Sequence, residues 1–386
     1  MKSSAVLLAL ATGAFAIGTT EFAPMGLLPV IADGVQVSIP TAGMLVFAYA
    51  MGVTIGAPVM TLLLSRFDKR IALMVLMLIF TVGNLLSALS PGYWTLLLSR
   101  LVTSLNHGAF FGIGAVVAAS VVPKDKQASA IAAMFMGLTV ANIGGVPAAT
   151  WIGQQVGWRL AFGGTAVLGL ITMAALWAAL PQGKPGVRPH VGRELRVLAQ
   201  PEVLQAMGTT VLGSGAMFAL YTYVAPMLET ITQASPDFVT LALVLIGVGF
   251  TLGNSLGGRL ADWSLHGATQ LIFALLTVTM LVLPWMLTTH IGAAIGLVIW
   301  GAAAFGMVPP VQMRVMKAAA QAPGLASSVN VGAFNLGNAV GAALGGAVIS
   351  QGWGYDAVLW AGAALAGGGL LLARWGSTPS TTAQSA

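Results

Sequence analysis

Apolar residues along this chain neither alternate with polar ones nor follow one helical stripe. They continue for about 17 to 25 positions at a time, the length needed to cross about 30 Å of hydrocarbon. Twelve such runs stand at 5–31, 41–64, 71–89, 93–119, 129–153, 160–180, 203–228, 238–258, 268–287, 292–312, 325–349 and 357–373. Without the period-two pattern of a membrane barrel they read as helices, because a backbone in lipid must satisfy its own hydrogen bonds. The predicted class is an all-α polytopic membrane protein with twelve transmembrane helices. Lys2, the apolar stretch after it and Ala14-Phe15-Ala16 imitate a cleavable signal, but the run continues to Ile31, so a retained first span is expected.

Composition agrees. Only 26 of 386 residues are charged (16 basic and 10 acidic) and 57% are hydrophobic, whereas a soluble domain carries about a quarter charged residues. There is no cysteine, and His107, His190, His266 and His290 lie far apart in sequence, so metal chemistry gets no support. The loops hold no Walker sequence, zinc spacing or serine elbow. No enzyme activity and no cofactor are expected.

A net charge of +6 and a pI near 9.9 suggest a nucleic-acid binder until the positions are read. With the N-terminus inside, the cytoplasmic side holds Lys2, Arg66, Lys69, Arg70, Lys124, Lys126, Lys184, Arg188, Arg193, Arg196, Arg259, Arg314, Lys317 and Arg374, which is 14 of the 16 basic residues. Only Arg159 lies outside, and Arg100 lies within a span. The basic balance is therefore a topology signal that places both termini in the cytoplasm. Nucleic acid drops out, and the lipid bilayer is the expected partner.

The longest polar connection, 181–201, divides the chain into bundles at 1–180 and 202–375, with a polar tail at 376–386 expected to be disordered. Gly137 matches Gly332 and Gly157-Trp158 matches Gly352-Trp353, both at an offset of 195, while Phe111-Gly112 matches Phe305-Gly306 at 194. That is a parallel duplication: two pseudo-symmetric six-helix bundles with a substrate site between them near the midplane.

Gly18-Thr19-Thr20-Glu21-Phe22 in the first span, Arg100 with Asn106-His107-Gly108-Ala109-Phe110-Phe111 in the fourth, and Gly137, Ala141, Asn142, Gly145 and Pro147 in the fifth carry a family likeness. The chain resembles the drug:proton antiporter branch of the major facilitator superfamily, near its bacterial sugar-efflux and chloramphenicol-efflux permeases. The resemblance implies proton-driven export of a small molecule across the bacterial inner membrane by a monomer, with a proton gradient in place of a cofactor. The chain departs from the family's loop motif between spans two and three, where Thr61 and Ser65 stand in the Gly and Asp places before Arg66, Asp68, Lys69 and Arg70. The copy at Gly258-Arg259-Leu260-Ala261-Asp262 is better kept, so Asp262 is the expected helix cap and latch. A tight turn with basic topology residues explains both loops equally well. Ala141-Asn142 stand where many members have Gly-Pro, and the small residues Gly137, Ala141, Gly144, Gly145 and Ala148 give a groove for close helix approach.

Two charges remain in hydrocarbon, Glu21 and Arg100, each costing about 2.5 to 3.5 kcal/mol or more on insertion scales. Counted from the outer helix ends, at 1.5 Å per residue, they lie roughly 15 Å and 10 Å deep, nearly level. A contact between them, direct or through water, is expected. It would serve as a salt bridge joining the two helices, or as a coupling device in which Glu21 carries the proton and Arg100 tunes it. His107, two turns beyond Arg100, either relays protons, bonds substrate or packs. Phe22, Tyr49, Phe110, Asn142, Phe218, Tyr221, Tyr223, Asn335 and Asn338, together with Asn330, are the candidate cavity wall, suited to amphipathic compounds or to sugars. Import by proton symport would use the same chemistry, and a membrane sensor is the reading outside transport.

Overall fold

Helices begin where a polar residue meets an apolar run. Ser38, Ser235, Ser264 and Thr289 each accept a backbone N–H three residues on, and Asp68 accepts those of Arg70 and Ile71 at 2.8 and 3.3 Å, which is N-capping in its usual form. The computed structural model describes residues 3–123, 127–181, 197, 199–319 and 323–375. Lys2, Lys124, Asp125, Lys126, the tail at 376–386 and most of the 181–201 connection, with Lys184, Arg188, Arg193 and Arg196, lie outside the described residues.

All twelve spans are present. They are α1 (Ser3–Gly34), α2 (Ile39–Leu64), α3 (Lys69–Ala88), α4 (Tyr93–Ser104 continued by His107–Ser120), α5 (Gln127–Val140, a π-turn Ala141–Gly145, then Val146–Gln155) and α6 (Trp158–Ala179). The second set is α7 (Pro201–Tyr221, Val224–Met227 and a π-turn Leu228–Thr232), α8 (Pro236–Trp263), α9 (Leu265–Met286), α10 (His290–Gly306 continued by Val308–Ala318), α11 (Pro323–Ser350) and α12 (Gly354–Trp375). The duplication shows in the backbone: Gly157 before α6 and Gly352 before α12, 195 residues apart, both take positive φ (119° and 77°), where a side chain would be strained.

Interruptions have local causes. Pro147 has no N–H for the carbonyl of Ile143, and the α5 ladder slips to the π register over Ala141–Gly145, with Val146 N–H on the Ala141 carbonyl. Such slips concentrate at functional sites. Long apolar side chains such as Leu85, Leu98, Leu170 and Leu275 face outward, and Trp94, Trp177, Trp263, Trp285, Trp353 and Trp375 are exposed at or near helix ends, the distribution of a lipid-facing surface with interfacial tryptophans.

The halves meet unequally. One buried cluster joins Phe22, Met25, Val46 and Val146 of the first half to α7, α8, α10 and α12, and a second joins Leu28, Ala32 and Ala42 to Tyr223. Both lie toward the end of the bundle opposite the termini, called distal below. Thr240 adds a 3.1 Å bond to Gln154 there. Toward the termini, each buried cluster of described residues belongs to a single half. A cavity of about 300 Å³ opens there, lined by Thr54 and Pro58 of α2, by α7 and by α11.

Candidate functional site

Glu21 sits midway along α1, 7% exposed. Among the described residues its one basic partner within 4 Å is His107, with Oε2 3.8 Å from Nδ1. Asn106, whose amide bonds back to the Thr103 carbonyl, stands at the break in α4, and His107 opens the second segment facing α1 and α2. The Tyr49 hydroxyl lies 3.2 Å from the same Nδ1. With Nδ1 unprotonated Tyr49 donates to it; with Nδ1 protonated the ring can donate to Tyr49 or Glu21. Phe111 completes the ring contacts of His107 at 5.3 Å.

Glu21 and Arg100 form no direct ion pair: among the described residues none joins them within 4 Å. Arg100, 2% exposed, points instead at the residue before Glu21. Its Nη2 donates to the Thr20 carbonyl at 3.0 Å and its Nη1 to the Thr20 hydroxyl at 3.3 Å. The guanidinium lies 4.3 Å from the Tyr49 ring centroid and 5.5 Å from that of Phe162, a cation–π setting that compensates part of its lost hydration. Thr20 donates to Asn84 Oδ1 at 2.5 Å, and Thr165 lies 3.0 Å from the same oxygen. Four helices, α1, α3, α4 and α6, thus meet on one polar thread that runs beside the acid.

Other expectations divide. Phe22, Phe218 and Tyr221 do come together, at 5.7 to 6.2 Å between centroids, and Tyr221 extends the group to Phe250 and Trp300. Phe110 does not line this space: it packs inside the first half against Gly13, while its neighbour Phe111 faces His107. Tyr223 belongs to the distal seal. Asn338 accepts from Ser214 on α7, whereas Asn142 and Asn335 bond back to the carbonyls of Leu138 and Val331 and leave buried amide oxygens unpartnered. Asn330 donates to Gln312 at 2.6 Å.

Asp262 is not a helix cap. Asp68 caps α3, while Asp262 lies exposed in the last turn of α8 and Ser264 caps α9. Arg66 lies over Phe67, Arg70 lies over Trp177, and Arg259 is exposed. Gly137 and Gly145 let α5 sit directly on α1, against the Ala11 carbonyl and Thr19; Gly258 has open space around it. Sequence reasoning passed over Asn84, Thr165, Phe250 and Trp300. A buried amide in an outer helix was the available signal for Asn84.

Among the described residues no three His, Asp or Glu side chains are grouped as metal ligands. What the site can do is hold one proton between a carboxylate, an imidazole and a phenol, inside the membrane, beside a fixed cation.

The family model described as Major Facilitator Superfamily matches residues 10–331. The inner membrane transport protein YdhP of Escherichia coli K12 is 64% identical over 372 residues, covering 96% of each chain. The chloramphenicol resistance protein of Streptomyces lividans is 32% identical over 378 residues, covering 97% of this chain and 96% of its own. A solved bacterial homologue of the human lysosomal transporter Spinster, in an inward-facing and occupied conformation, superposes with a TM-score of 0.77 at 15% identity, over 97% of this chain and 96% of that one.

Proposed function

The chain belongs to the major facilitator superfamily, so it is a multi-pass membrane transporter and not an enzyme, and on that premise we propose that it exports small organic molecules in exchange for protons. The observation that carries this reading is Glu21: among the described residues the one acid far from any helix end, 3.8 Å from His107 and with no arginine ion pair. It can gain or lose a proton without dismantling a salt bridge to arginine. The excess of basic residues at the termini end supports an orientation with that end in the cytoplasm of a bacterial inner membrane. The closed distal end is then periplasmic.

In the arrangement seen, Glu21 gives its proton toward the cytoplasm and the organic molecule takes its place near the midplane. Reversal of the seal releases the molecule outside and admits the next proton, so the two occupants alternate. Phe22, Phe218, Tyr221, Phe250 and Trp300 offer aromatic surface to an amphipathic compound. A relative named for chloramphenicol resistance makes chloramphenicol the first probe. A sugar is the second reading, favoured by the unpartnered Asn142 and Asn335 oxygens and the unpartnered Trp300 indole N–H. No second subunit is needed for this cycle.

Proteoliposomes with an imposed pH gradient test the reading. Chloramphenicol movement should run against proton flow and be lost in Glu21→Gln; coupling as strong as in the parent would sink the carrier role. Uncoupler-sensitive uptake by intact cells, in place of uncoupler-sensitive exclusion, would replace export by symport.

A further inference from the structure

Arg100 docks on a backbone carbonyl that an unbroken α-helix would not leave available. In α1 the Thr20 carbonyl would accept the N–H of residue 24. Residue 24 is proline, which has no N–H. Helix α1 nevertheless continues from Ser3 to Gly34 without interruption, so Pro24 frees one carbonyl without breaking the helix. That carbonyl receives Arg100 Nη2 at 3.0 Å. The hydroxyl of the same residue is committed as a donor to Asn84, which turns its lone pairs toward Arg100 Nη1.

We propose that Pro24 is a positioning residue for proton coupling: by freeing the Thr20 carbonyl it gives Arg100 a neutral dock one residue away from Glu21, and so keeps the guanidinium from pairing with that carboxylate. Its significance for transport rests on Glu21 as the carrier; the geometric claim does not. Four neighbours face this region: Arg100 and His107 of α4, Tyr49 of α2 and Tyr221 of α7, of which Arg100 alone is a permanent cation. Burial makes an unpaired guanidinium expensive. If the Thr20 carbonyl is taken away, Glu21 is the anionic acceptor left beside it, since every other acid among the described residues lies in a loop or near a helix end. An ordinary role for a helix proline, setting a bend, predicts no such redistribution.

The test uses Pro24→Ala and a second variant in which an α-hydroxy acid replaces Pro24. Alanine restores the N–H and closes the helical bond to Thr20. The hydroxy acid makes an ester, which lacks the N–H as proline does but has no ring. The probe is the infrared carboxyl band of the purified chain followed through a pH titration and assigned by its loss in Glu21→Gln. Pro24→Ala should hold the Glu21 proton at least tenfold less tightly, the effect of an arginine brought into contact with a carboxylate. The ester variant should titrate like the parent. An unshifted Pro24→Ala protein overturns the inference, and so does an ester variant shifted as far as alanine, which would assign the effect to the ring. Normal coupling in Glu21→Gln proteoliposomes would instead remove the carrier reading and leave the band positions to judge the dock.

Discussion

Removing the Tyr223 ring should open the distal end. Tyr223 stands at the break in α7, fully buried. Its hydroxyl donates to the Ala342 carbonyl at 2.7 Å, within the second half, while its ring reaches across to Gly43 of α2 and joins Leu28, Ala32 and Ala42. Truncating a buried aromatic to alanine costs about 3 to 5 kcal/mol. The ring divides its contacts between the two halves, so about 2 kcal/mol of this acts on the seal and raises the distal-open population roughly 30-fold. The chain has no cysteine, so Val46→Cys, in the cluster that joins the halves, is a background-free reporter. Maleimide labelling of purified Val46→Cys should accelerate by about that factor when Tyr223→Ala is added. Tyr223→Phe keeps the ring and loses about 1 kcal/mol of bonding inside one half, so its labelling should stay near the parent's. Equal labelling of the parent and Tyr223→Ala, or of the Phe and Ala variants, would refute the assignment.

Gly253→Val should lower the melting temperature without touching the proton site, because a Cβ there meets the Ala302 backbone where α8 lies on α10; overpacking of this kind costs about 1 to 3 kcal/mol. Asp68→Ala should destabilise by about 1 kcal/mol through loss of the α3 cap, while Asp262→Ala should stay within about 0.5 kcal/mol, both read by denaturation in detergent. Tyr49→Phe removes the hydroxyl facing His107 and should slow the proposed proton-driven transport of chloramphenicol roughly 5- to 10-fold, the equivalent of about one hydrogen bond, with folding unchanged by circular dichroism.

The spans were legible because lipid imposes a run length, and Glu21 and Arg100 stood out because charge in hydrocarbon is costly. Their relation was not legible. Depth counting places two side chains at one level, but whether Arg100 meets Glu21 or Thr20 depends on a rotation of about 100° per residue around α1 and on a carbonyl that only the structure shows in use. The same rotation separates Phe110, in the core of the first half, from Phe111, beside His107. Asp262 looked the better cap by motif, yet capping needs the side chain at a helix start, and α8 runs on through Asp262 to Trp263. Tyr223 read as part of a continuous span because nothing in an apolar run announces a break at Thr222.

The unbroken α1 and the broken α7 are duplicates that have become mechanically different. One is a stiff beam that carries the acid and the dock for its arginine; the other has a joint at the seal. Glu21, Arg100, His107, Tyr49 and Asn84 all belong to the first half, whereas Tyr223 and most of the aromatic surface belong to the second. The acid and its polar neighbours are therefore built mainly from one half and the aromatic surface mainly from the other, and Phe22 against Tyr221 is where the two meet.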